Sequence, residues 1–248
     1  LDAKKIEGCS ERTLQYYRVT VEHLLSQMEN SVRKVTTEEI RTYLADYQKN
    51  SNCSNVTIDN IRRNISSFFS WLEEEDYILK SPMRRIHKIK TKTVVKNTIS
   101  DESIEKLRDH CTEIRDLAII DLLYSTGIRV GELVNLNIDD IDLEGRECIV
   151  YGKGDKERRV YFDAKAKVHL KEYIEGRKDE NKALFVTLDA PYDRLKISGV
   201  EIRLRQLGRK LDLEKIHPHK FRRTMATRAI DKGMPIEQVQ KILGHSQI

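Results

Sequence analysis

Apolar residues return at spacings of three and four through almost the whole chain, and the alternation of strands replaces that rhythm in one short stretch only. Residues 10–30 carry Leu14, Tyr17, Val21, Leu24, Leu25 and Met28 at this spacing, which stacks them on one face of a helix. Thr36 followed by Glu39 is the sequence of a capping box, so a second helix opens there with Ile40, Tyr43 and Leu44 inward. A third begins near Asn55–Thr57 and presents Ile58, Ile61, Ile65, Phe68, Phe69 and Leu72, with Trp71 one residue off the stripe as a packing residue. A short fourth helix is expected after Ser81-Pro82. The pattern predicts a four-helix domain over residues 1–88.

The chain then changes character. Between Tyr77 and Ser100 there is no acidic residue, while Lys80, Arg84, Arg85, Lys88, Lys90, Lys92 and Lys96 are basic. Residues 89–98 lack a helical stripe and read as an extended basic linker. Composition alone fits a solvated connector and a strap tracking phosphates equally well. A second domain follows over 99–248. Ser100 caps a helix whose first turn holds Asp101 and Glu102, favourable for the helix dipole. Ile114–Ser125 reads as a buried helix punctuated by Gly127, and Ile128–Leu136 as another. Glu147–Tyr151 and Arg158–Phe162 alternate and are joined by a glycine-rich turn, Gly152–Lys156, as in a hairpin. Helices are expected at Lys165–Glu175, Gly199–Leu211, Lys220–Lys232 and Pro235–Leu243. The fold class is therefore mainly α with a small β-hairpin.

With 39% hydrophobic and 34% charged residues, the 248-residue chain has material for real cores under a very polar surface. A net charge of +5 permits a nucleic-acid partner without demanding one. No run approaches the roughly 18 apolar residues of a membrane span, so no membrane partner is expected. Cys9, Cys53, Cys111 and Cys148 form no CxxC pair, and the expectation is reduced, mostly buried thiols in a cytoplasmic protein. The chain opens on Leu1 rather than Met and reads as a piece of a longer one.

Several polar residues of the second domain stand in special places. Arg129 follows a glycine break, and Glu132 lies three residues on, on the same helical face. His219 and Arg222 are also three apart at the start of a helix. Lys153 sits at the hairpin tip and His245 follows Gly244 at the end of an apolar helix. Singly, each has an ordinary explanation: a surface ion pair, a solvated turn, a structural histidine. Together they form a set suited to phosphoryl transfer. Two arginines can clamp the non-bridging oxygens of a phosphodiester and stabilise the charge that builds in the transition state. A lysine can protonate a leaving oxygen, and histidines can shuttle protons at neutral pH. Such a set requires no metal or cofactor, and no cluster of carboxylates for a two-metal site is visible in the sequence.

Ser125-Thr126-Gly127-Ile128-Arg129-Val130-Gly131-Glu132-Leu133 with Asp139–Leu143 resembles the first box of the tyrosine recombinases, or phage integrases. Gly152–Arg158 resembles their lysine hairpin, His217–Thr227 their H-x-x-R box, and Leu243-Gly244-His245-Ser246 the last box before the nucleophile. Ser10–Thr13 and Phe68–Leu72 are similar to the family's SAM-like core-binding domain. The resemblance implies roles. Arg129 and Arg222 are phosphate clamps, Lys153 the general acid toward the 5′-hydroxyl, His219 an acid/base, His245 a hydrogen-bond donor to the scissile phosphate, and Glu132 a buttress for Arg129. It implies a 3′-phosphotyrosyl intermediate without ATP, double-stranded DNA closed between the two domains, and a homotetramer on paired sites, with this chain monomeric in the absence of DNA. Arg84, Arg85, Lys88, Lys90, Lys92, Lys156 and Arg223 are the expected DNA-binding residues. The sequence departs from the pattern twice: Arg223 stands where many members have histidine, and the nucleophilic tyrosine is expected beyond Ile248, so the chain as given is expected to bind DNA without cleaving it. Tyr124, Tyr151, Tyr161, Tyr173 and Tyr192 lie in the wrong context and read as packing or surface residues. A type IB topoisomerase-like enzyme and a non-catalytic DNA-binding regulator are the alternative readings.

Overall fold

A computed structural model describes residues 1–28, 30–92, 94–152 and 157–244. The chain divides into two compact units, Leu1–Val95 and Lys96–Ile248.

The first unit is helical throughout: α1 (Asp2–Ile6), α2 (Glu11–Ser26), α3 (Thr37–Ser51) and α4 (Asn55–Glu74). Helices α2, α3 and α4 start where side chains can satisfy the exposed N–H groups of a first turn. Ser10 and Ser54 accept from the backbone of Thr13 and Thr57. Thr36 and Glu39 form the reciprocal box, with Glu39 N–H donating to Thr36 Oγ1 at 3.2 Å and Thr36 N–H to Glu39 Oε2 at 2.7 Å. The fourth helix is the N-terminal α1, and the segment after Ser81-Pro82 is a single 3-10 turn, Pro82–Arg85. Leu24, Ile40, Leu44, Ile58, Ile61, Ile65, Phe69 and Leu72 close the core, with Trp71 half-buried against it. Leu25 points outward, and Thr20 takes the inward place, donating to Tyr16 O and accepting from Asn64. Ile86 and Ile89 pack on this core, and Ile89 N–H donates to buried Asp59 Oδ1 at 3.0 Å.

The second unit contains α5 (Asp101–Asp109), α6 (Ile114–Thr126), α7 (Val130–Asn135), β1 (Ile141–Asp142), β2 (Glu147–Tyr151), β3 (Glu157–Tyr161), α8 (Ala164–Glu175), α9 (Ile197–Lys210), α10 (Pro218–Asp231) and α11 (Ile236–Leu243). Helix α6 is the axis of the unit: Ala118, Ile119, Ile120, Leu122 and Leu123 are buried all round it, against α8 and α10. The expected hairpin is the larger part of a three-stranded antiparallel sheet in the order β1-β2-β3, with Ile141 opposite Cys148 and Cys148 opposite Val160. The two-residue β1 is too short for alternation to reveal it in sequence. Helix α11 packs against β3 and α10. No helix among the described residues is long and apolar enough to cross a membrane.

Candidate active site

Gly127 ends α6 in the left-handed conformation, φ +62°. A Cβ there would lie 2.5 Å from Met225 Cε and 3.3 Å from Leu243 Cδ2, so the glycine also lets α10 and α11 come close. Two residues on, Arg129 is extended and caps α7 from outside it, whereas its sequence position suggests the first turn. Glu132, in that first turn, accepts the Arg129 backbone N–H on Oε2 at 2.8 Å and the Arg129 guanidinium on Oε1 at 2.9 Å. The buttress expected from the three-residue spacing is thus a contact of both backbone and side chain.

From the other side comes α10, which Pro218 opens after His217. Arg222 lies in its second turn, 6% exposed, and donates to Gly127 O at 2.8 Å and to Leu243 O. His219, one turn earlier, is exposed. Arg129, Glu132, His219 and Arg222 line one cleft of about 370 Å³, whose rim includes Tyr151 and Gly152 from the end of β2. The structure therefore brings together four of the side chains singled out in sequence. Lys153, Lys156 and His245 lie outside the described residues.

The cleft is cationic. Burial, followed by the positive charges of Arg129 and Arg158, presses the Arg222 guanidinium down to about 10, and Glu132 offsets only part of this. For Glu132 itself burial pushes the carboxyl upward, but hydrogen bonds from Arg158 and from the Arg129 backbone outweigh that push and hold it below the ordinary range. Charge of this sign, aimed into a concave site, suits a bound anion.

Arg158, at the start of β3, has a role that the motif spacing does not show. It donates to both Glu132 oxygens at 2.7 Å and, through Nε, to Ile242 O at 3.0 Å. A signal existed in the strand pattern. Arg158 is two residues from buried Val160 on the same face of β3, and an inward arginine on a strand requires a buried anion.

The expected DNA-binding residues are spread more widely. Arg84, Arg85, Lys88, Lys90 and Lys92 are exposed in the first unit, where Arg84 pairs with Glu73. Arg223 is half-buried and donates to Asn97 O at 2.8 Å. Of the tyrosines, Tyr173 is buried with its hydroxyl accepting from Val186 N–H, Tyr124 lies under the guanidinium groups of Arg108 and Arg228, and Tyr161 is exposed.

The chain thus combines a helical unit, a second helical unit with a small antiparallel sheet, and an arginine-lined cleft that gathers the R-x-x-E and H-x-x-R pairs. Residues 86–248 match the phage integrase family and residues 1–79 the N-terminal SAM-like domain of phage integrases, and the chain belongs to this family. Tyrosine recombinase XerC of Oceanobacillus iheyensis is 31% identical over 258 residues, covering 98% of this chain and 84% of that protein. Tyrosine recombinase XerA of Saccharolobus solfataricus is 28% identical, covering 100% and 83%. Among solved structures, the integrase of transposon Tn1549 in complex with circular intermediate DNA matches at TM-score 0.82 with 22% identity, over 99% of this chain and 91% of that one.

Proposed function

We propose that this protein is a site-specific recombinase that cleaves and rejoins DNA strands through a 3′-phosphotyrosyl intermediate. The observation that carries the reading is that Arg129, at the cap of α7, and Arg222, in α10, far apart in sequence, line one cationic cleft together with His219. In this reading the two guanidinium groups hold the non-bridging oxygens of the scissile phosphate and stabilise the charge that builds on them. A tyrosine hydroxyl attacks phosphorus and gives up its proton, with His219 as the acid/base. The bond from phosphorus to the 5′ oxygen breaks, and Lys153 protonates the leaving oxygen. His245 donates a hydrogen bond to the same phosphate. The phosphotyrosyl ester keeps the bond energy, so attack by a new 5′-hydroxyl reseals the strand without ATP.

Duplex DNA is the partner, bound by Arg84, Arg85, Lys88, Lys90, Lys92, Lys156 and Arg223 as well as by the cleft. The working assembly is a homotetramer on two paired sites, the chain is a monomer without DNA, and its place is the cytoplasm. The test selects tight-binding duplexes from a random library with the natural protein and then introduces a nick beside each candidate cleavage position. A covalent adduct that survives denaturation and carries a 3′-phosphotyrosine is expected. Tight binding with no adduct on any selected duplex would sink the recombinase reading.

A further inference from the structure

We propose that Arg158 is a positioning residue for strand cleavage: it locks the carboxylate that aims Arg129 and ties that lock to the last turn of α11. The proposal rests on the reading of the cleft as a recombinase site. Arg158 does not line the cleft. Its effect runs through Glu132, whose two oxygens each accept two bonds: Oε1 from Arg129 and Arg158 Nη1, Oε2 from the Arg129 backbone and Arg158 Nη2. Four donors fill a carboxylate, so Glu132 cannot turn while Arg158 is in place. With Arg158 removed, half of the donors go, and the Arg129 guanidinium, 39% exposed, is free to swing with its partner.

The second half of the lock is at α11. The final carbonyls of a helix have no partner within it and carry the negative end of its dipole. Here three successive carbonyls serve three arginines: Ile242 O accepts from Arg158, Leu243 O from Arg222 and Gly244 O from Arg129. Gly244 is left-handed, φ +65°, and a Cβ on it would come within 3.2 Å of Arg158 Cδ, so the turn is shaped around this side chain. Strand β3, the clamp arginines and the end of α11 are thereby set by one network.

The lock has a pH signature. The Glu132 carboxyl is held below its ordinary range, so alignment is present above that range and lost as the pH falls through the lowered value. Without Arg158 the burial of Glu132 remains and its largest favourable partner is gone, so the loss moves to higher pH.

The experiment uses the natural protein and the nicked duplexes described above. For Arg158→Gln, duplex affinity is expected to stay within about threefold, while adduct formation slows on the order of 100-fold. The acid limb of the rate–pH profile is expected to shift upward by about one pH unit. Arg158→Lys should recover part of the rate, and the double variant R158Q/E132Q should be no slower than Glu132→Gln alone. Wild-type cleavage by R158Q, a slowed rate with an unmoved acid limb, or a double variant slowed by the product of the single effects each overturns the proposal. Should R158Q fail to fold, R158K must show a smaller shift of the acid limb in the same direction, and no shift overturns the proposal. A wild-type protein that forms no adduct defeats the recombinase reading instead, so the two failures are distinguishable.

Discussion

Asp121 and Glu132 are both buried carboxylates that hold two basic groups, and what those groups face separates scaffold from site. Asp121, with no exposed surface, takes Arg108 Nε at 2.7 Å and the ring of His169. Arg108 is 9% exposed, pairs also with Glu105 and stacks 5.3 Å from the Tyr124 ring, so its charge is met from several sides. Glu132 takes Arg129 and Arg158, but Arg129 opens onto a cleft and Arg222 adds a third guanidinium beside it. The first cluster ties α5, α6 and α8 together and is electrostatically closed. The second presents Arg129 and Arg222 to a concave cleft, an arrangement suited to an anion.

The largest effect that separates the two clusters is catalytic. Arg222→Ala is expected to lower adduct formation about a thousandfold, the loss typical of removing one preorganised donor to a developing oxyanion. The measurement is single-turnover cleavage of a nicked duplex at saturating protein, normalised to folded material. If Asp121→Ala costs as much per folded molecule, the distinction between scaffold and site fails.

Stability should respond in the opposite sense. Removing one partner of a buried pair leaves its mate uncompensated, so Asp121→Ala is expected to cost about 3 kcal/mol of unfolding free energy. Urea unfolding of the two variants side by side reads this. Among cleft residues, Glu132→Gln sharpens the comparison further, because it keeps the shape of the side chain. It should fall mainly in rate, and a loss of stability equal to that of Asp121→Ala would mean that both carboxylates are scaffold.

Much of this was legible in the chain. Thr36 with Glu39, and Ser100 before Asp101, mark helix starts through contacts within four residues, which sequence displays directly. The Arg129–Glu132 and His219–Arg222 pairs are also local, so their proximity could be read, although Arg129 meets Glu132 from the cap of α7 rather than from a shared helical face. Tertiary partners could not. Helix α6 reads as apolar, yet Arg115, Asp116 and Asp121 are buried in it, each answered by a residue from elsewhere: Val186 O for Arg115, Arg203 for Asp116, Arg108 and His169 for Asp121. Arg158 escaped for the same reason, since its partners Glu132 and Ile242 lie 26 and 84 positions away. Cys9, Cys53 and Cys111 are half-buried, and only Cys148 among the four is fully so, because a small thiol fits a core and its rim alike and the residue type does not say which it occupies.

The smallest expected effect concerns a third kind of charge, one with water on most sides. Lys88 is exposed in the basic stretch between the last 3-10 turn of the first unit and the start of the second. Arg84, in the 3-10 turn just before it, pairs with Glu73, so its loss also unmasks a carboxylate. A lysine that meets one phosphate releases about one counterion, so Lys88→Ala should lower the slope of log affinity against log salt by about 1. Arg84→Ala should lower affinity more than Lys88→Ala at low salt, because the freed Glu73 then repels the backbone it had been shielded from. Cleavage at saturating protein should be unchanged in both, since neither residue lines the cleft. Fluorescence anisotropy with a labelled duplex across a salt series measures the slopes. A slope unchanged by Lys88→Ala would remove Lys88 from the phosphate-binding surface and shift the weight of DNA binding toward the cleft.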